Sequence, residues 1–421
     1  MLDVRVGKNV VGAIDRLGAE DGYFFAYHPT WRAGEDVSLS MPFSLAGYPY
    51  KNGLHPICQM NLPEGRLRES LERRLRKSMP GFDDLALLEI VGRSQIGRLR
   101  FANQLAGIDE VPLESVQALI AYDGAEDLLR DLLERFAGVS GVSGVQPKVL
   151  IRDSEHMKVS GDPGRVTVKG ATHIVKGWDQ SEYPHLAANE YFCMQAARRA
   201  GLATPAFSLS ANNQFLVLER FDMATDGSYL GFEDFCVLNG LGTREKYDSS
   251  YERLAKRIRD FISPQLRAES LETFFRSFVV SCAVRNGDAH LKNFGVLYEA
   301  SDKPVRLAPA YDIVTTPAYI PQDSMALTLG GSKRWPEGKR LLEFAKLQCN
   351  LQPARAMRIL DEVAEAVVRT EHDVLQHMRE HPGFQAIGEA MLREWRAGVD
   401  ASCRVPVAKK RTVSGAAARE P

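Results

Sequence analysis

Apolar residues in the first hundred positions alternate with polar ones over short stretches, as they do in short β-strands. Two such stretches are Val4–Ile14 and Tyr23–Tyr27. Between residues 63 and 79 the spacing changes, and leucines recur at every fourth position, which predicts a helix with a narrow apolar stripe. Residues 1–105 are therefore predicted to form a small mixed α/β subdomain.

Residues 106–225 combine strand patterns with one helical pattern. Short apolar runs predict three strands, and a glycine-rich segment, residues 138–148, precedes the first of them. A helix is expected from Pro184 to Ala200, because its apolar residues share one face and Gly201 follows where helices commonly end on glycine. The predicted strands are Val149–Ile151, Thr172–Lys176 and Phe215–Asp222.

From residue 226 to residue 400 the pattern is helical. Apolar faces repeat at helical spacing over Leu266–Arg285, Pro353–His381 and Phe384–Trp395. Residues 401–421 show no apolar periodicity and are rich in basic and small residues, so a disordered tail is predicted. The pattern therefore predicts strands and helices before residue 226 and helices after it.

Composition narrows the class of protein. The 421 residues carry a net charge of −1, so no overall positive field draws the chain onto nucleic acid or anionic lipid.

The six cysteines include no Cys-x-x-Cys pair, and the spaced pair His377 and His381 lacks a third ligand nearby, so no zinc site is expected. No signal peptide is evident, and no stretch approaches the roughly 20 apolar residues that span a bilayer. A cytoplasmic protein is expected.

A candidate catalytic segment follows the first long helix of the C-terminal part. In residues 286–293, Asn-Gly-Asp-Ala-His-Leu-Lys-Asn, Asp288 precedes Asn293 by five positions, which is the spacing in the catalytic loop of protein kinases. A carboxylate there can accept the proton of an attacking hydroxyl, and an amide oxygen can hold magnesium on the phosphates. By itself, such a pair is far more often a turn in which both side chains cap backbone groups.

Further residues occur in the order that kinases require. Lys176 ends a predicted strand, and Glu190 follows fourteen positions later within a predicted helix, which suits the ion pair that orients a lysine on nucleotide phosphates. Asp312 lies nineteen positions after the catalytic segment, like the second metal-binding aspartate of kinases. His290 and Lys292 lie inside the segment, where a lysine would offset the charge that develops on a transferring phosphate.

These motifs together resemble the HipA family of bacterial toxin kinases, and the resemblance extends from the first strand to about residue 395. The segments Gly287–Asn293 and Tyr311–Ile313 resemble that family's catalytic and metal segments, and Ser143–Lys148 resembles its glycine-rich phosphate loop. Leu39–Phe43 and Asn61–Gly65 resemble parts of the small domain that precedes its kinase core. The other matching segments are Thr172–Lys176, Asn189–Tyr191, Glu219–Asp222 (its adenine-contacting hinge) and Glu233–Cys236.

The resemblance implies an α+β, two-lobed protein-kinase-like fold. A HipA-type subdomain at 1–105 would precede a kinase N-lobe at 106–225 and an all-helical C-lobe at 226–400. The implied activity is ATP- and Mg²⁺-dependent phosphorylation of a serine or threonine on another protein, in that family an aminoacyl-tRNA synthetase, whose inactivation arrests translation and growth. The implied partner is a small HipB-like helix-turn-helix antitoxin of a type II toxin–antitoxin module, through which operator DNA would be bound; no membrane is implied.

The resemblance also assigns roles to individual residues. Asp288 becomes the catalytic carboxylate, Asn293 and Asp312 become the magnesium ligands, and Glu190 orients the ATP-binding Lys176. The residues implied to contact ATP are Ser143, Gly144, Val145, Gln146, Pro147, Lys148, Lys176, Glu219, Arg220, Phe221, His290, Leu291, Lys292 and Tyr311.

Regulation through the glycine-rich loop is a further implication. In this family a loop serine is often autophosphorylated, which expels the loop from the site. The position most often used is Gly141 here, so the resemblance points to Ser143, with Ser140 as the second choice. A phosphate there would add a charge of about −2 beside the ATP phosphates and disfavour the closed loop.

Two other functions remain open. A small-molecule or lipid kinase could use the same phosphoryl-transfer site, although the N-terminal subdomain resembles that of toxin kinases. A catalytically silent co-repressor that binds antitoxin and DNA would have no need of Lys176, Asp288, Asn293 and Asp312 together.

Overall fold

The computed structural model describes residues 1–18, 22–51, 53–76, 79, 81–104, 108, 111, 113–124, 148–154, 170–178 and 180–405. The N-terminal subdomain begins with an antiparallel sheet, formed by β1 Leu2–Val6, β2 Asn9–Arg16, β3 Gly22–Tyr27, β4 Tyr48–Lys51 and β5 Leu99–Phe101. The strand order is β4-β3-β2-β1-β5. Val4, Val11 and Ile14 are buried in its core, so the sequence pattern correctly predicted β1, β2 and β3, whereas β4 and β5 were not predicted.

Three helices complete the subdomain core: α1 Pro56–Gln59, α2 Gly65–Leu75 and α3 Asp84–Val91. Asp83 caps α3 by accepting a hydrogen bond from the backbone N–H of Ala86 at 2.9 Å. Leu71 of α2 and Leu88 of α3 are buried in the same apolar cluster as the sheet residues. The predicted mixed α/β character of this region is confirmed.

The N-lobe is a second five-stranded sheet with two described helices. Its strand order is β6-β7-β8-β10-β9. Alternate residues of β7 enter different cores, because Val149 and Ile151 face one side of the sheet and Leu150 the other. The elements are β6 Leu113–Glu114, α4 Val116–Ala121, β7 Lys148–Asp153, β8 His173–Gly177, α5 Leu186–Arg199, β9 Phe207–Leu209 and β10 Phe215–Glu219.

The C-lobe contains the largest apolar cluster among the described residues. Phe274, Phe275 and Phe278 of its first long helix are fully buried there. The helices are α6 Phe235–Leu238, α7 Tyr251–Phe261, α8 Arg267–Ala283, α9 Gly338–Cys349, α10 Pro353–Glu380 and α11 Gln385–Gly398, and the three predicted from apolar spacing are confirmed. None of the described helices is long and apolar enough to cross a membrane.

The C-lobe also departs from the all-helical expectation. It carries a small sheet of β11 Gly231–Asp234, β12 Gly295–Tyr298 and β13 Arg306–Leu307. These strands are too short to show a period, and β11 and β12 pair across a long stretch of chain.

The predicted start of the disordered tail, residue 401, is also too early. A π-helical turn, Val399–Cys403, extends the last helix and buries Ser402 and Cys403. Ser402 Oγ donates to the Pro336 carbonyl oxygen at 2.7 Å, which fixes the turn to the lobe. Residues 406–421 lie outside the described residues.

Buried polar contacts join the N-terminal subdomain to both lobes. Glu233 of β11 accepts hydrogen bonds from Ser38 Oγ at 2.5 Å and from the backbone N–H of Leu39 at 2.8 Å. Asp222, just after β10, accepts one from the backbone N–H of Gly97 at 2.6 Å. Because buried carboxylates are costly unless they are hydrogen-bonded, these contacts fix the subdomain in a defined place.

Candidate active site

A cleft of about 970 Å³, counting its solvent-open part, lies between the two lobes and the N-terminal subdomain. Strands β8 and β10 supply one wall, and residues 288–293 and 311–312 supply the opposite wall. Residues 60–64 of the subdomain close a third side. One end of the cleft is charged and the other is apolar.

The backbone before Asp288 is held in a tight loop at the end of α8. Arg285, just past the helix, has a left-handed φ of 55°, a conformation that persists only where the surroundings enforce it. A side chain at Gly287 would force its neighbours to move, because its Cβ would lie 2.1 Å from Asp323 Oδ2 and 2.5 Å from Thr316 Oγ1. Asn293 Nδ2 donates to the Asp288 carbonyl oxygen at 2.7 Å, so the two residues of the predicted catalytic pair are fixed to each other.

The Asp288 carboxylate lies inside the cleft, with 42% of its side chain exposed. Burial raises the pKa of Asp288 to about 6, and a hydrogen bond donated by the Tyr247 hydroxyl to Oδ1 at 2.7 Å opposes that rise. His290 Nε2 lies 3.8 Å from the same oxygen. Burial, assisted by Lys246, lowers the pKa of His290 to about 3, so the imidazole is neutral. At pH 7 Asp288 is therefore mainly an ionised carboxylate beside a neutral ring.

Lys176 of β8 links two acids. Its Nζ lies 2.6 Å from Glu190 Oε1 and 2.6 Å from Asp312 Oδ1. Burial alone would lower the pKa of Lys176, but Asp312 and Glu190 outweigh it and raise that pKa. Burial would likewise raise the pKa of Asp312, but Lys176 and Lys148 hold it well below its usual range. Asp312 also has a left-handed φ of 61°, so its backbone, like that of Arg285, is held in a conformation that only its surroundings enforce.

The glycine-rich segment reaches the cleft through its last residue. Lys148, the first residue of β7, is buried and lines the cleft. Burial and the neighbouring Lys176 lower the pKa of Lys148 to about 8. Ser143, Gly144, Val145, Gln146 and Pro147, and with them the alternative Ser140, lie outside the described residues, so their roles remain predictions.

The apolar end of the cleft presents aromatic rings. Phe221 stacks on Tyr311 with ring centroids 5.2 Å apart and an interplanar angle of 14°, and Phe232 meets Phe221 edge-on at 5.4 Å. Ile174 and Leu218 line the same region. Such a flat, apolar surface suits a planar heterocycle.

Two predicted ATP contacts do not line the cleft. The Arg220 side chain is fully buried on the far side of its strand end, where Nη2 lies 2.5 Å from Asp222 Oδ2 and donates to the Gln95 carbonyl oxygen at 3.0 Å. The Leu291 side chain is buried in the C-lobe core. Glu219 and Phe221, which flank Arg220, do line the cleft, as expected from the alternation of side chains along an extended chain.

Several cleft residues were not predicted. Glu64 of the N-terminal subdomain, together with Lys246 and Asp234 of the C-lobe, lines the charged end. Asp234 caps α6 by accepting a hydrogen bond from the backbone N–H of Val237 at 2.9 Å, and burial raises its pKa to about 6. Glu64 and Asp234 lie in segments recognised by family resemblance, but nothing local indicates that they face one cleft.

The pair His377 and His381 does have a third acid or base nearby. Glu380 completes a group whose candidate ligand atoms all lie within 4.8 Å of one another. The two imidazole rings are tilted by 37° to each other, with their centroids 4.2 Å apart. The structure therefore corrects the expectation that the pair lacks a third candidate ligand nearby.

Comparisons with known proteins agree with this geometry. The sequence profile described as HipA-like C-terminal domain matches residues 140–371, and the one described as HipA N-terminal domain matches residues 2–102. Two proteins of Sinorhizobium fredii, named "Putative kinase Y4dM" and "Putative kinase Y4mE", are each 28% identical, over 79% and 83% of this chain and 82% and 87% of their own lengths.

A solved structure shares the fold. The HipA chain in a complex of Shewanella oneidensis HipA, HipB and operator DNA superposes with a TM-score of 0.69 at 18% identity, covering 97% of this chain and 100% of that one. At that identity the likeness concerns the fold, which confirms the expected two-lobed α+β architecture. With both profiles matched in order along its length, the chain belongs to the HipA family.

Proposed function

We propose that this protein is an ATP- and Mg²⁺-dependent protein kinase that phosphorylates serine or threonine. One observation supports this most strongly: Lys176, Asp288, Asn293 and Asp312 come from three separate segments of the chain, yet all line one cleft. A binding protein gains nothing from placing these groups together, whereas phosphoryl transfer uses all four.

The residues of the cleft fit ATP and magnesium. Asn293 uses its amide nitrogen on the Asp288 carbonyl, which leaves its amide oxygen as a potential ligand, and Asp312 is held ionised. Oxygen donors of this kind are what magnesium prefers. The stacked Phe221 and Tyr311 suit an adenine ring at the other end. Asn293 and Asp312 would thus hold the metal, and the aromatic pair would hold the base.

Each residue then has a defined task. Magnesium, when bound, neutralises charge on the phosphates. Glu190 holds the Lys176 ammonium toward the phosphate end of the cleft, and Lys148 adds a second cation there. Asp288 orients the acceptor hydroxyl and takes up its proton as the oxygen attacks the γ-phosphorus of ATP, while the bond from that phosphorus to the β-phosphate oxygen breaks and ADP leaves. Neutral His290 lies against this carboxylate without cancelling its charge.

The biological role follows from the family. We place the protein in a type II toxin–antitoxin module, with an aminoacyl-tRNA synthetase as the protein substrate and growth arrest as the result. A small HipB-like antitoxin would bind the kinase and carry it to operator DNA, as HipB and operator DNA accompany HipA in the Shewanella complex. Because its proposed substrate acts in translation, the proposed site of action is the cytoplasm.

Expression in growing cells tests this role. Wild type is expected to arrest growth, and Asp288→Asn is expected not to. Asp260→Asn, an exposed aspartate on α7, is the matched control and should arrest growth like wild type. Labelled ATP added to extract with the purified chain should then mark one dominant protein. Equal arrest by wild type and Asp288→Asn would contradict kinase-based toxicity.

Autophosphorylation of Ser143 is the proposed form of regulation, with Ser140 as the alternative. After incubation with ATP and Mg²⁺, mass spectrometry should find a phosphate on the segment 138–148 in wild type and none in Asp288→Asn. An active enzyme without phosphate on either serine would eliminate this form of regulation.

A further inference from the structure

A carboxylate of the N-terminal subdomain enters the charged end of the cleft. Glu64 precedes the first turn of α2, and each of its two oxygens binds a different lysine of the C-lobe. Oε1 lies 2.9 Å from Lys292 Nζ, and Oε2 lies 3.1 Å from Lys246 Nζ. Lys292 Nζ also donates to the Met60 carbonyl oxygen of the same subdomain at 3.1 Å.

All three side chains are removed from solvent. Their exposed fractions are 14% for Glu64, 8% for Lys292 and 9% for Lys246. Water therefore screens these charges poorly, and one carboxylate separates two ammonium groups that would otherwise repel each other. An arrangement of this kind keeps each lysine in one place.

The two lysines adjoin the residues that contact Asp288. Lys292 directly precedes Asn293, whose amide donates to the Asp288 carbonyl at 2.7 Å. Lys246 directly precedes Tyr247, whose hydroxyl donates to the Asp288 carboxylate at 2.7 Å. Fixing both lysines therefore fixes the chain on either side of the catalytic carboxylate.

We propose that Glu64 is a positioning residue for phosphoryl transfer, through which the N-terminal subdomain completes the active site of the kinase. The inference rests on the proposed kinase function. It gives the subdomain a part in catalysis itself, because Glu64 holds Lys292 and Lys246 where Asn293 and Tyr247 can keep Asp288 aligned with the acceptor hydroxyl. Misplacing a catalytic group by about 1 Å can cost roughly 100-fold in rate.

The steady-state rates of Glu64→Gln and Glu64→Asp test the proposal. The glutamine variant should lower kcat by about 10- to 100-fold and change the KM for ATP by less than about threefold, because alignment is lost while Lys176, Lys148 and the Phe221–Tyr311 pair keep their places in the cleft. The aspartate variant keeps the charge on a shorter side chain and should recover part of the lost kcat. Glu72→Gln is the matched control, since Glu72 lies on the same helix and pairs with Arg68 and Arg76; its kcat should equal that of wild type.

A double variant separates catalysis from folding. Glu64→Gln with Lys246→Met removes one negative and one positive charge, so the net charge of the cluster is that of wild type, while Lys292 still lacks its carboxylate. Its melting temperature should approach that of wild type, and its kcat should remain about 10-fold low or lower.

Three results would overturn the inference. They are a wild-type kcat for Glu64→Gln, a wild-type kcat for the double variant, or a Glu64→Gln variant with a higher kcat and a lower KM for ATP than wild type. The last would mean that Glu64 competes with the phosphates for the lysines. If Glu72→Gln and wild type both transfer no phosphate, the proposed function itself fails, and the inference fails with it.

Discussion

Replacing Asp222 with asparagine tests how the N-terminal subdomain is held. Both members of the Arg220–Asp222 pair are buried, with 0% and 1% of their side chains exposed. Asp222 accepts from Arg220 Nε at 2.9 Å and from the backbone N–H of Gly97 at 2.6 Å. Asparagine keeps the shape but removes the negative charge opposite a buried guanidinium, and breaking a buried pair in this way costs about 3–5 kcal/mol. The free energy of unfolding should fall by about that amount.

The same substitution should change the response to acid. Burial would raise the pKa of Asp222, but Arg220 outweighs it and lowers that pKa below its ordinary value. A carboxyl whose folded pKa is lowered stabilises the protein above its unfolded pKa of about 3.9, and this contribution is lost as the pH falls toward the folded pKa. Asp222→Asn should therefore lose less stability than wild type between about pH 4 and pH 2.

Denaturant unfolding followed by circular dichroism measures both effects. The matched control is Asp226→Asn on the neighbouring turn, where the carboxylate accepts from the Ser228 hydroxyl at 2.6 Å and plays no part in joining the subdomain; its midpoint should equal that of wild type. A free energy of unfolding for Asp222→Asn within about 1 kcal/mol of wild type would refute the reasoning, because a buried charge would then have been lost at no cost.

Three more substitutions probe the cleft. Glu190→Gln should lower kcat/KM for ATP by about 10- to 100-fold, because Lys176 loses the acid 2.6 Å away that orients it; unchanged initial rates would contradict this. Phe221→Ala should raise the KM for ATP by up to about tenfold and leave kcat unchanged, since a stacked aromatic pair contributes about 0.5–1.5 kcal/mol. An unchanged KM would show that adenine does not bind at the apolar end of the cleft. Gly287→Ala should lower both kcat and the melting temperature, because its Cβ would lie 2.1 Å from Asp323 Oδ2; wild-type kcat and melting temperature would show that the loop tolerates a side chain.

Sequence patterns predicted those features that depend on neighbours along the chain. Helical periodicity predicted the bounds of three long C-lobe helices to within a few residues. Lys176 and Glu190, fourteen positions apart, form the expected ion pair, at 2.6 Å. The spacing was enough to predict this ion pair, because a helix that follows a strand and packs on the same sheet brings these two positions together.

Features that depend on distant parts of the chain could not be predicted. Arg220 was assigned to the cleft with its neighbours, but alternation along the strand end turns its side chain toward Gln95 of the N-terminal subdomain. Glu64 lies more than two hundred positions before Lys292, and no periodicity links residues so far apart. The small C-lobe sheet was missed for the same reason, because strand pairing is a property of the assembled fold.

The most direct test of the account is the rate of phosphate transfer by the purified chain with γ-labelled ATP, Mg²⁺ and a protein extract. Wild type should label serine or threonine of a protein acceptor, and Asp288→Asn should be slower by roughly 10²- to 10⁴-fold, the contribution expected of a positioned base. Equal rates for the two, or label transferred to no hydroxyl at all, would contradict the assignment of Asp288 as the catalytic carboxylate.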